Sequence, residues 1–340
     1  MIEKSVYSLI RKSFIFVAPV FIIVIIMLAA DPFRVFFSYE DYYKGNFVTH
    51  SRGIVCFKLF EKNRKKITYN SFIFGSSRSW AFRIVDWLRY LPDGSVGYHF
   101  DASAEGVFGV YNKLKYLDAT GIKIKNALVV VDESLLMVTS NKKEALFISP
   151  YQLSSESLIE FYSVMLKQSL EPGFVMAYLD YKAFNKYSPY MKKYFNEMKY
   201  ASSSDNKTGD LYFAFDRMSK EEIALYYDEQ IRSGLFYKRS SANTESDLPK
   251  SAEVFYLNEI KNIFSKHKTK YKIIISPLYN QIPLDREQLS LLNTVFGKLN
   301  VYNFSGVNKY TESVYNYYET SHYRPNVAQG ILVEIYNGLR

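Results

Sequence analysis

Ser71-Phe72-Ile73-Phe74-Gly75-Ser76-Ser77-Arg78-Ser79 decides how this chain reads. The apolar run Phe72–Phe74 ends at Gly75, which suggests a buried strand entering a turn. After Ser79 the spacing becomes helical, with Trp80, Ile84, Trp87 and Leu88 on one face. Ser77 therefore falls where a strand hands over to a helix. At such a turn the first backbone N–H groups are unpaired and can hold a developing negative charge. Gly75 lets the chain turn sharply there.

Outward from this turn the pattern repeats. Val96–Phe100, Ala127–Val131, Lys272–Ser276 and Asn300–Phe304 are further apolar runs of strand length. Helical spacing separates them, around Val110, Leu114 and Leu117 and over 252–266, 285–297 and 325–338. Strands alternating with helices predict an α/β domain, a parallel sheet with helices on both faces. In such a sheet, ligands gather at the carboxyl ends of the strands. Residues 137–250 break the rhythm with helical stretches at 155–169 and 219–233 and a polar run at 201–207. They read as a mostly helical insertion over the sheet, a cap or a substrate platform.

A second segment, Tyr318-Glu319-Thr320-Ser321-His322-Tyr323-Arg324-Pro325, lies almost 250 residues downstream. Glu319 precedes His322 by three, and Pro325 suits the first turn of the last helix. With Ser77 these residues supply a nucleophile, a base and an orienting acid, the kit of serine-based acyl transfer or ester cleavage. Glu-x-x-His is also half of a carboxylate-bridged metal site. The other histidines, His50, His99 and His267, form no matching half. The reading is therefore of a site with no metal and no cofactor.

Residues 14–30 carry no charge, with Lys4, Arg11 and Lys12 before them and Asp31 after. Seventeen residues stand at the short end of a membrane-spanning helix. The flanking charges place residues 1–12 in the cytoplasm, a signal anchor at 13–30 and the remainder outside. A cleaved signal peptide is the alternative, with Leu28-Ala29-Ala30 a poor cleavage site. Residues 31–66 read as a juxtamembrane segment, aromatic at Phe33, Phe36, Phe37, Tyr39, Tyr42 and Tyr43 and a basic helix over 53–66. The domain proper is 67–340. Cys56 is the only cysteine, so no internal disulfide is available, and its expected role is a small buried side chain. The net charge of +9 is scattered in clusters such as Lys62–Lys66 and Lys266–Lys272. Neither cluster resembles a nucleic-acid recognition motif; solvated faces near anionic headgroups or acidic glycans fit better.

On these residues the chain resembles the SGNH/GDSL hydrolase superfamily. It is closest to a membrane-anchored bacterial branch whose first block reads Gly-x-Ser-Arg and whose last reads Asp-x-x-His-Tyr-x-Pro. The matching pieces are Gly75–Arg78, Asp101–Gly106, Ile275–Pro277, Tyr302–Gly306 and Glu319–Pro325. The resemblance implies a flavodoxin-like three-layer α/β/α fold. It implies Ser77 as nucleophile, His322 as base and Glu319 as orienter. Oxyanion donors would come from the Ser77 backbone and the 101–106 turn, with Ser103 and Gly106 in it. It implies work on cell-surface polysaccharide or another acylated glycan, beside a membrane-bound O-acyltransferase. Three departures stand out. Glu319 replaces the family's Asp, Asp101 replaces an Asn, and Asp132 stands where an asparagine donor is usual. The second and third leave open a catalytically inactive partner or glycan-binding module. Arg78 reads as a substrate-carboxylate ligand or as a salt bridge that fixes the turn. Ser305 reads as a cleft residue at another strand end or as part of a plain turn.

Overall fold

The computed structural model describes residues 2–44, 47–195, 203–239 and 250–338. Its helices are α1 (Ile2–Ala30), α2 (Arg52–Asn63), α3 (Ile84–Trp87), α4 (Val107–Ala119), α5 (Glu133–Met137), α6 (Leu158–Ser169), α7 (Pro172–Phe184), α8 (Lys220–Arg232), α9 (Ser251–His267), α10 (Arg286–Phe296) and α11 (Pro325–Asn337). The strands are β1 (Ser71–Gly75), β2 (Gly97–His99), β3 (Asn126–Val131), a small hairpin of β4 (Ser203–Ser204) and β5 (Leu211–Tyr212), β6 (Lys270–Ile275), β7 (Val301–Asn303), and a second hairpin of β8 (Tyr317–Glu319) and β9 (His322–Tyr323).

The main sheet has five parallel strands in the order β2-β1-β3-β6-β7. Counted along the chain these five run 2-1-3-4-5, the doubly wound order whose switch point lies between the first and third strands. The sheet strands are apolar on both faces because helices cover both. Phe72, Phe74, Val129, Val131, Ile273 and Ile275 pack under α2, α4, α9 and α10. The alternate residues Ile73, Leu128, Val130 and Ile274 pack under α3 and α11. The α/β expectation with a parallel sheet and helices on both faces is thus met, and each expected strand is found within about two residues.

Two expectations are corrected. The 53–66 helix is a core element, not a juxtamembrane one. In α2, Ile54, Cys56, Phe57 and Phe60 are at most 3% exposed, and burial of such side chains contributes about 1.5–3 kcal/mol each. The helical stretch after Ser79 is broken into a 3-10 turn, Ser77–Ala81, and the short α3. Among the described residues no helix is long and apolar enough to cross a membrane. The uncharged run 14–30 would span only about 26 Å at 1.5 Å per residue, against a hydrocarbon core of about 30 Å. It also contains Pro19. The side chains of Phe14 and Phe16 in that run lie outside the described residues.

The expected insertion divides in two. Phe161 of α6 and Phe174 and Tyr178 of α7 share a separate core with Met27, Phe33 and Val35. The stretch from β4 to α8 instead packs on the α3–α11 side of the sheet through Phe215 and Tyr227. Residues 196–202 and 240–249 of the expected insertion lie outside the described residues.

Candidate active site

β1 runs to Gly75, and Ser76 caps the 3-10 turn by accepting from the Arg78 N–H. The close spacing of β1 and β3 explains the glycine. A Cβ at Gly75 would meet the Val130 carbonyl oxygen at 2.8 Å and Ser79 Cβ at 2.9 Å. The turn leaves Ser77 half-buried while Ser76 and Ser79 point inward.

His322 and Glu319 come from the small β8–β9 hairpin, where they are paired across the strands. His322 Nε2 lies 2.8 Å from Ser77 Oγ. His322 Nδ1 bonds Glu319 Oε1, and Glu319 Oε2 accepts the Ser321 N–H at 2.7 Å. Burial pushes the Glu319 carboxyl up, but the His322 contact and the Ser321 N–H outweigh it and hold it below the ordinary value. The three residues read from the sequence as nucleophile, base and acid are therefore joined in one relay.

A pocket of about 350 Å³ opens beside this relay. His322, Glu319, Trp80 and Ser103 line it together with Phe213, Phe215 and Met218 of the insertion. Among the described residues, no acceptor is bonded to the backbone N–H of Ser77 or Ser103. Those two groups are the candidate oxyanion donors.

The other expected site residues stand apart from the cavity. Asp101 is fully buried and turned away. It accepts from Arg52 Nε at 2.9 Å and Nη2 at 2.6 Å, and from the Trp80 indole N–H at 2.5 Å. Burial alone would raise its carboxyl; Arg52 overrides this and brings it down to about 2. Its saturated carboxylate can neither donate to an oxyanion nor repel one. Asp132 caps α5 through the Leu135 N–H and pairs with Arg78 at 2.9 Å. Arg78 is thus the salt bridge that fixes the turn, not a substrate ligand. Gly106 packs under Val138, whose carbonyl oxygen would sit 2.3 Å from an added Cβ, and its N–H faces Glu105 Oε1 at 3.2 Å. It is a close-approach residue and no donor. Ser305 lies beyond β7 at the far edge of the sheet, where it donates to Asn303 and accepts the Leu284 N–H. It does not line the cleft.

Several residues of the site carried no sequence signal. Trp80 lies parallel to His322, with 4° between the rings and 5.3 Å between centroids. Arg52 reaches from α2 to Asp101, Tyr43 Oη and the Gly209 carbonyl. A second relay lies beneath: Ser79 Oγ to His99 Nε2 at 2.9 Å and His99 Nδ1 to Asp210 at 3.1 Å. All three are at most 2% exposed. Ser79 Oγ also lies 2.7 Å from the Ser76 carbonyl oxygen, and the burial of all three residues keeps this relay out of reach of a substrate in the cleft. This relay ties the nucleophile turn to the insertion, since Asp210 also accepts the Ile84 N–H at 2.9 Å. Cys56 is buried as expected, with burial pushing its thiol up to about 11. Compared with known proteins, the chain matches no family model and no curated protein.

Proposed function

We propose that the protein is an exported, membrane-held acyl-ester enzyme of SGNH type, acting on cell-surface polysaccharide or another acylated glycan. The observation that carries this reading is the 2.8 Å contact between Ser77 Oγ and His322 Nε2, with Glu319 on the far nitrogen. Ser77 Oγ attacks the ester carbonyl carbon while its proton passes to Nε2. The imidazolium returns that proton to the leaving oxygen as the C–O bond breaks, and the acyl group stays on Ser77. Water or a sugar hydroxyl then attacks, giving its proton to His322, and Ser77 recovers the proton as it leaves. Glu319 fixes the imidazole and offsets its charge. The Ser77 and Ser103 N–H groups are the proposed donors to the developing oxyanion. Hydrolysis and transfer differ only in which hydroxyl accepts the acyl group. A membrane-bound O-acyltransferase is the acyl supplier implied by the family resemblance.

Membrane attachment is supported by the N-terminal segment. Ile15, Val20, Phe21, Ile22 and Ile25 of α1 are each more than half exposed, and Lys4, Arg11 and Lys12 precede them. Such a contiguous apolar face suits lipid better than water.

A second reading, a non-catalytic partner of an acylation complex, is favoured by one observation. Asp101 and Asp132 occupy the positions of the family's amide donors, and both are locked to arginines. An oxyanion would then rely on backbone donors alone. The two readings separate on ester turnover by the wild type and by Ser77→Ala. Loss of about 10²-fold or more in the variant supports the enzyme; turnover retained without the hydroxyl ends it.

A further inference from the structure

Building on the acyl-ester reading, we infer that the pocket beside Ser77 is an acyl-chain site, selecting a medium-length chain of about six to ten carbons over acetyl. On its aromatic side the polar atoms are committed elsewhere. The Trp80 indole N–H donates to Asp101. The Tyr318 hydroxyl donates to Asp216, and the Tyr226 hydroxyl to the Tyr318 carbonyl at 2.7 Å. Arg52 is taken up by Asp101, Tyr43 and Gly209.

The cavity is therefore offered ring faces and hydrocarbon: Leu211, Phe213, Ala214, Phe215 and Met218. A sugar seated against that wall would give up water from hydroxyls that find few partners there, which is costly. An alkyl chain has no such requirement. A volume of about 350 Å³ lies within the range of pockets that bury small organic ligands and far exceeds the space for a single water. Acetyl would leave most of it empty. The wall is continuous with the reacting atoms. Trp80 stacks on His322, Phe213 lies 5.6 Å from Trp80, and Tyr318 lies 5.1 Å from Phe213. A chain attached to an acylated Ser77 can run along these rings while the glycan stays outside.

Two measurements on the full-length protein test this. The first is the chain-length profile of kcat/KM with p-nitrophenyl acetate, butyrate, hexanoate, octanoate and dodecanoate. The expected profile peaks at hexanoate to octanoate, at least tenfold above acetate, since each buried methylene can add up to about fourfold. Ala214→Phe and Met218→Phe, which fill the pocket, should move the peak to shorter chains. The second does not need turnover: Ser77→Ala is titrated with neutral octanamide and with acetamide, read by tryptophan fluorescence. Octanamide should bind at least tenfold more tightly, and Ala214→Phe should remove that difference. A profile that falls steadily from acetate, with no preference for octanamide, overturns the acyl-chain site while leaving the serine enzyme intact. Octanamide binding without Ser77-dependent turnover keeps the site and removes the enzyme.

Discussion

The indole of Trp80 lies parallel to the imidazole of His322, and the same indole donates its N–H to the buried Asp101. One side chain thus connects the base of the relay to an ion pair at the end of β2. In the proposed acyl transfer an imidazolium forms at His322, and an aromatic face beside a cation stabilises it by about 0.5–2 kcal/mol. Trp80→Leu should lower kcat about tenfold or more with a smaller change in KM, and Trp80→Phe should recover part of the loss. Steady-state kinetics decide it. Equal kcat in all three proteins would mean that the stack is only packing.

Asp101 and Arg52 make a stability prediction with a defined sign. The Asp101 carboxyl falls from 3.8 to about 2 in the folded chain. A depressed carboxyl contributes stability that is present above its unfolded value and is lost as pH drops through the folded one. About 2 kcal/mol should therefore disappear between about pH 4 and pH 2. Urea unfolding at a series of pH values measures this. Asp101→Asn should be less stable at pH 5 by about 3–5 kcal/mol, because Arg52 is left buried and unpaired. It should also lose less than the wild type on acidification. Parallel pH curves for the two proteins would assign the acid sensitivity elsewhere.

Glu319 differs from Asp101 in being partly exposed and in touching the base. Its depressed carboxyl is ionised above the ordinary glutamate range, and its contribution fades as pH falls below that range. Glu319→Gln keeps the size but cannot offset the imidazolium. We expect kcat to fall by about 10²–10⁴-fold at neutral pH with the fold unchanged. An effect below about fivefold would show that the hairpin alone orients His322.

Ser79 tests whether the buried relay is structural. Ser79→Ala removes the hydroxyl partner of the buried His99 imidazole and should cost about 1–3 kcal/mol of stability. Covalent labelling at Ser77 should persist at temperatures where the variant is folded. If labelling moved or vanished with the fold intact, the assignment of the two serines would need to be exchanged.

The layered fold was legible in the sequence because sheet strands buried on both faces are unbroken apolar runs, as in Phe72–Phe74 and Ala127–Val131. Ser77, Glu319 and His322 were legible as well, since a strand-end serine and a close acid–histidine pair carry local signals. What could not be read were partnerships made by folding. Asp101 and Arg78 each had two roles open, and only a cation 49 residues upstream of Asp101 or an anion across the β3 turn from Arg78 decides between them. Gly106 reads as part of an oxyanion turn, yet it is there to clear the Val138 carbonyl. Arg52 sits within the segment read as juxtamembrane and Trp80 in one read as merely helical, so their contact with the site had no sequence signature. His99 reads as a strand residue, and its relay depends on Asp210, 111 residues away.

Intact-mass and peptide mapping after treatment with a serine-directed fluorophosphonate test the central claim most directly. The account predicts one adduct per chain, on Ser77, formed in the wild type and absent from Ser77→Ala, with labelling slowed at least tenfold in His322→Ala. A folded wild-type protein that takes up no label, or takes it at any other residue, would contradict it.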